Sequence, residues 1–304
     1  MSSQRRAPRA IVASGLVLGL ASYARAHGFV GDRFFPPTVL TDDPFAVDEL
    51  TVPEFTYVTN PAGDGAASTH ELDTGFEFDK EIFPHFAIGV SDDNIAQWAR
   101  HPPTANGMDD IDIITKYELW QNEQHEAIIA IGFESLLGGT GAKAVDDPHT
   151  VFTPTFYWGK GFGDLPDSLS ALKPFAITGT IGQELPLNAT DPNTFDWGFA
   201  LEYNLMYLQS QVMDVGLPAP FKDMIPLVEF STTTNENRAD RGQTTGFAAP
   251  GVLWESRFMQ IGGEVLIPLN NHTGQHLGGV LNVDIFIDDI WPNVFGHPIF
   301  GEDK

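Results

Sequence analysis

Residues 195–204 run Phe195-Asp196-Trp197-Gly198-Phe199-Ala200-Leu201-Glu202-Tyr203-Asn204. Every odd position is large and apolar; every even position is small, polar or acidic. A strand turns successive side chains to opposite faces, so this segment has one greasy face and one wet face. The greasy face is rich in aromatics, and ten residues is about the length that crosses a bilayer at a ~45° tilt.

The same pattern recurs. Strand-like runs occupy residues 50–59, 71–79, 85–91, 111–120, 126–134, 150–159, 174–183, 195–204, 224–233, 246–254, 258–269 and 279–288, with turn clusters between them. In the second run Leu72, Thr74, Phe76 and Phe78 fall on one side and Glu71, Asp73, Gly75, Glu77 and Asp79 on the other. Residues 111–120 put Ile111, Ile113, Tyr117 and Leu119 against Asp112, Lys116 and Glu118. About twelve strands of this length fit the chain between residues 50 and 290, and an even number suits a bacterial barrel. Residues 27–49, rich in Pro, Asp and Phe, read as an irregular segment ahead of the strands. Residues 92–100 read as a short helix with Ile95 and Trp98 on one face, residues 232–245 as an external loop, and 291–304 as a tail. Pro154, Pro174, Pro226, Pro250 and Pro268 resist the assignment, because a closed barrel has no edge where a missing N–H goes unnoticed.

The first 26 residues have the form of a secretory signal: Arg5, Arg6 and Arg9, then an apolar run over 11–21, then Ala24-Arg25-Ala26. Cleavage there leaves a 278-residue chain beginning at His27. It removes four arginines and no acids, taking the net charge from −25 to −29. That charge argues against nucleic acid as a partner. The absence of cysteine removes disulfide scaffolds, thiolate metal sites and cysteine nucleophiles. No run after the signal approaches a spanning helix, so membrane integration would have to use strands.

The expected fold is therefore all-β: a single antiparallel, up-and-down transmembrane β-barrel of about twelve strands. Its expected location is the outer membrane, and outer-membrane lipid is its expected partner. The inward acids and amides would line a wet lumen that favours cations or neutral polar solutes. The candidates are Glu71, Asp73, Glu77, Asp79, Lys116, Glu118, Glu134, Glu202, Asn204, Glu229, Glu264, Asn282 and Asp284. They could equally hydrogen-bond one another, with Lys116, into a plug. Alternation alone also permits a soluble exported barrel or sandwich, with the apolar face as core around a small ligand. The aromatics Phe76, Phe78, Phe133, Trp197, Phe199 and Tyr203 favour the membrane version.

No nucleophile elbow, phosphate loop, dinucleotide fingerprint or His-Glu-x-x-His occurs, so no catalytic residue, metal ligand or cofactor is assigned and a non-enzymatic role is expected. His272 and His276 have ligand-like spacing but lie in an Asn/Gly turn that does not align them. A mature N-terminal His27 followed by Gly28 offers an amine and an imidazole to copper, and this is the only enzyme-like alternative.

Three segments carry a resemblance. They are Thr41-Asp42-Asp43-Pro44-Phe45, the run Gly246-Phe247-Ala248-Ala249-Pro250-Gly251-Val252-Leu253-Trp254, and the run Met259-Gln260-Ile261-Gly262-Gly263-Glu264-Val265-Leu266-Ile267-Pro268-Leu269. In these the chain resembles outer-membrane β-barrel proteins of the transporter and phenol meta-pathway degradation type. The resemblance implies outer-membrane location and passage of a small solute, without catalytic residues.

Overall fold

The structure is a computed structural model that describes residues 28–62, 68–99, 104–238 and 240–301. Two short strands, β1 (Phe29–Val30) and β2 (Arg33–Phe34), pair as a small hairpin. Then follow β3 (Glu49–Asn60), β4 (Thr69–Phe83), β5 (Phe86–Ala99), β6 (Ala105–Met108), β7 (Asp112–Asn122), β8 (Ala127–Leu136) and β9 (Val151–Gly161). β10 (Phe175–Pro186), β11 (Thr194–Tyr203), β12 (Met224–Asn235), β13 (Thr244–Glu255), β14 (Met259–Pro268) and β15 (Gly278–Ile285) complete the order. Neighbours in sequence pair antiparallel, and β15 pairs with β3 to close the wall. β6 and β7 share one place, β6 against residues 94–97 of β5 and β7 against residues 86–91. The result is a closed, twelve-stranded antiparallel barrel, and every run read from alternation is one of its strands.

Pairing of Ile285 with Leu50 puts both ends of the wall at one mouth, called here the terminal mouth. The opposite opening is the far mouth. Large apolar side chains project outward: Phe76, Ile131, Phe133, Phe156, Trp197 and Leu281 are all exposed. Lys116, Glu202, Glu229, Gln260 and Asp284 are buried within. The alternative with an apolar core is thereby corrected, because the greasy faces form the outer surface.

Two other expectations change. Residues 92–99 of the expected helix are strand; β4 is fifteen residues long and offers partners out to the Thr69–Ala99 pair, so β5 continues through Ala99. Ile95 and Trp98, three apart, lie on opposite faces, and Trp98 stacks outside on His70 at 5.7 Å. Much of 232–245 is strand, leaving 236–243 as connection at the far mouth. A longer connection, 204–223, lies at the terminal mouth and opens with the one-turn helix α1 (Leu205–Tyr207).

The prolines sit where a ladder is already open. Opposite β10, the β9 register skips Thr153 and Pro154. Opposite β14, the β13 register skips Ala249 and Pro250. Pro226 lies beyond the last β11–β12 pair, Glu202 with Leu227, while Pro174 precedes β10 and Pro268 ends β14. Each strand keeps its register on the other side, so the missing N–H leaves no orphan carbonyl in an otherwise regular pair.

After β15 the helix α2 (Ile287–Ile290) turns the chain. The tail returns to β4: Ile299 and Phe300 N–H groups donate to the Glu81 and Ile82 carbonyls at 3.2 and 2.9 Å, and Phe300 packs on Phe83.

Candidate functional site: a strapped, acidic lumen

The interior is not empty between its walls. Residues 28–48 enter at the terminal mouth, dip to mid-barrel and return to begin β3. Polar backbone in a lumen must find partners, and the wall supplies them. Glu229 Oε1 on β12 accepts the Val39 and Leu40 N–H groups at 2.9 and 3.2 Å. Gln260 Nε2 donates to the Pro37 carbonyl at 2.7 Å, and Glu118 Oε1 accepts the Ala46 N–H at 2.9 Å. Apolar strap residues Val30, Phe35 and Phe45 pack on Ile128 and Ala176. The wall is thin where the strap lies against it. A Cβ on Gly159 would stand 3.3 Å from the Phe35 ring, and one on Gly198 3.0 Å from Thr41 Oγ1.

Arg33 anchors the strap near the terminal mouth. Its side chain is 0% exposed. Nε meets Glu126 Oε2 at 3.1 Å, the two terminal nitrogens donate to the carbonyls of Pro174 (3.1 Å) and Lys173 (2.5 Å), and the guanidinium lies 3.6 Å from the Tyr207 ring centre. Tyr207 in turn donates to Glu126 Oε1 at 2.7 Å. At mid-barrel Lys116 Nζ donates to Asp42 Oδ1 at 2.9 Å and to the Asp43 carbonyl at 3.0 Å.

The other residues singled out from the sequence divide by depth. Glu71, Asp73 and Glu134 stand toward the far mouth, where Glu71 Oε2 accepts from Asn60 and Gln97 at 3.0 and 2.6 Å. Glu77 and Asp79 lie on β4 beside the strap, lining a cavity with Asp42 and Asp43. Glu202 accepts from Thr178 at 3.3 Å, and Glu264 faces inward from β14 across from Gly251. Asp284 is fully engaged by Thr51, Gln260 and Asn282 at 2.7–2.8 Å. Asn204 is not on the lumen wall. It lies one residue past β11, where its Oδ1 caps α1 by accepting the Tyr207 N–H at 2.9 Å.

Sequence reading missed Arg33, Asp42, Asp43, Glu49, Glu54 and Glu126. The last three are visible as acids in or beside strands, but Glu54 follows a register shift between Thr51 and Glu54, so simple alternation mislays its face. Among the described residues, one group of three ligating side chains comes within 4.8 Å: Asp147, His149 and Asp191, at the far mouth. His272 and His276 are exposed and belong to no such group. His27 and the signal segment lie outside the described residues.

The barrel fold has a counterpart among solved structures. An outer membrane channel from Pseudomonas putida F1 superposes with a TM-score of 0.54 over 83% of this chain and 98% of that one, at 11% identity. The chain shares that channel's fold. The NanC porin also aligns, over 77% of this chain and 98% of its own, with a TM-score of 0.46 and 9% identity. The KdgM porin aligns with a TM-score of 0.42 over 78% and 98%, at 10% identity. No family model matches the chain, and no curated protein does.

Proposed function

We propose that this chain is an outer-membrane channel that passes a small solute through its acidic lumen and is not an enzyme. One observation carries the reading: a closed barrel that turns its large apolar side chains outward and its carboxylates inward. An outside of that kind needs lipid, and a closed strand wall satisfies its own backbone there. The terminal mouth then faces the periplasm, and the far connections face outward. Inward carboxylates raise the local concentration of cations and repel anions. The fold shared with the Pseudomonas putida F1 channel supports the same reading. The finer kinship with phenol meta-pathway proteins rests on the segments 41–45, 246–254 and 259–269 and belongs to this proposal.

Planar-bilayer recording of the mature protein tests it. Discrete conductance steps with cation preference are expected, and Glu77→Gln with Asp79→Asn should lower that preference. A barrel shown folded by its heat-modifiable gel shift, yet silent at every voltage and salt, would sink the proposal.

A further inference from the structure

The geometry points to a transition-metal site at the far mouth, where Asp147, His149 and Asp191 hold one borderline divalent cation of the Zn²⁺ class. Each residue offers one ligand atom, and the three atoms lie within 4.8 Å of one another. They come from two connections. Asp147 and His149 belong to 137–150, between β8 and β9, and Asp191 belongs to 187–193, between β10 and β11. Val151 pairs with Leu136 on one side and Pro186 on the other, so the two connections leave the wall side by side. Hydrogen bonds fix the backbone of both. The Asp147 N–H donates to buried Asp110 at 2.8 Å, and the Asp147 carbonyl accepts the Gly139 N–H at 2.8 Å. The Leu187 N–H donates to the Thr150 carbonyl at 2.9 Å and ties one connection to the other. Asn188 Oδ1 accepts the Thr190 and Asp191 N–H groups at 2.8 and 2.7 Å, and the Asn188 carbonyl accepts from Arg238 at 2.9 Å.

Two carboxylates held this close repel one another unless a cation lies between them. Among the described residues, no lysine or arginine forms a salt bridge with Asp147 or Asp191. His149 does not close the gap: its Nδ1 stands 3.5 Å from Asp147 Oδ1, against the ~2.7–2.9 Å of a charge-assisted hydrogen bond. One oxygen of each carboxylate is oriented from behind, Asp147 Oδ1 by the His149 N–H at 2.9 Å and Asp191 Oδ2 by the Asn188 amide. Outer partners of this kind orient the ligands of metal sites. One imidazole with two carboxylates suits Zn²⁺ and its first-row neighbours, whereas Ca²⁺ and Mg²⁺ take oxygen alone. Metal–ligand lengths of ~2.0–2.2 Å set tetrahedral ligand atoms about 3.4 Å apart, so the three atoms draw in by at most about 1.4 Å. All three side chains are half-buried, and side-chain rotation supplies that shift. Water completes the coordination. Because the ligands come from both connections, bound metal clips one to the other, and binding opposes their local opening.

Calorimetric titration of the full mature chain with Zn²⁺, folded in detergent in chelator-treated buffer, tests the site. One saturable site is expected, and Mg²⁺ in large excess should not displace the metal. His149→Ala and Asp191→Asn, one from each connection, should each weaken binding at least tenfold. His27→Ala, and His272→Ala with His276→Ala, should leave it within twofold. Absence of saturable binding by the unaltered protein overturns the proposal, as does displacement by Mg²⁺, which would mean diffuse acidity. A loss confined to one of the two site variants, or an equal loss in either control, also overturns it. Should a site variant fail to fold by gel shift, amide exchange of the unaltered protein is read in its place. Zn²⁺ should slow exchange in both 137–150 and 187–193, and slowing in one or neither overturns the site. Neither readout uses conductance, so failure of the channel reading and failure of the metal site show up separately.

Discussion

Replacing Arg33 by Met should loosen the strap. The side chain is fully buried, and its loss leaves the Glu126 carboxylate and the Lys173 and Pro174 carbonyls without their guanidinium. Breaking a buried ion pair by removing one partner costs about 3–5 kcal/mol. Glu126 keeps two donors, Tyr207 Oη at 2.7 Å and the Gly163 N–H at 2.9 Å, so the lower end applies. About 3 kcal/mol corresponds to roughly a hundredfold increase in transient opening of the segment around Arg33. The chain has no cysteine, so Val30→Cys provides a unique reporter at a position 0% exposed. Its maleimide-labelling rate in folded barrel measures opening when reclosing outpaces reaction. The rate in Val30→Cys/Arg33→Met should exceed that in Val30→Cys by about a hundredfold, following the same free energy. Adding Glu126→Gln should recover part of the loss, because the stranded charge is removed. Rates within about threefold of each other would refute the anchoring role, since the lost pair would then be worth under ~0.7 kcal/mol.

Three further outcomes follow from the same geometry. Ile131→Arg, on an outward position of β8 that is 44% exposed, should cost about 2–4 kcal/mol in folding into vesicles if it lies near the bilayer midplane; an unchanged denaturant midpoint would remove lipid from that face. Asp110→Asn should speed amide exchange in the connection 137–150, because buried Asp110 accepts the Gly141 and Asp147 N–H groups at 2.8 Å each, at a local cost of about 1–3 kcal/mol. Exchange unchanged from the parent would show that the connection holds itself. Slight burial pushes Asp164 up, but hydrogen bonds from His125 and Lys160 outweigh it and hold its carboxyl below the ordinary range. A depressed folded pKa contributes stability that is present above the unfolded value and lost as pH falls through the folded one. Proteolysis of the connection 162–174 should therefore accelerate only in acid, below about pH 4, and Asp164→Asn should remove that acid-dependent part.

The wall was legible because its physics is local. Alternation such as Phe195-Asp196-Trp197 needs no knowledge of the partner strand, and a barrel built of sequence neighbours needs none of topology. Phase was lost only where the backbone adds a residue, as between Thr51 and Glu54, or where polar residues such as Asp92 and Asn94 mask a strand's continuation. The strap was illegible for a different reason. Residues 28–48 carry no period, and their partners, Glu118, Glu126, Glu229 and Gln260, are spread over the next 230 or so positions. Nothing in Phe34-Phe35-Pro36-Pro37 says that it will be wrapped by strands made later. The acids were visible, but which of them share a cavity depends on that wrapping.

Both limbs of the strap leave by the same mouth: Arg33 is tied there through Glu126, and Asp48 through Lys80 and the Glu81 N–H at 2.5 Å. The segment therefore sits like a cork pushed in from one side, with no thread to unwind. It can back out as a single bend without pulling a chain end through the pore, and the wall need not break to release it. It also makes the pore unequal in its two directions. A force from the far mouth pushes the bend outward along its own path, whereas one from the terminal mouth presses it further in.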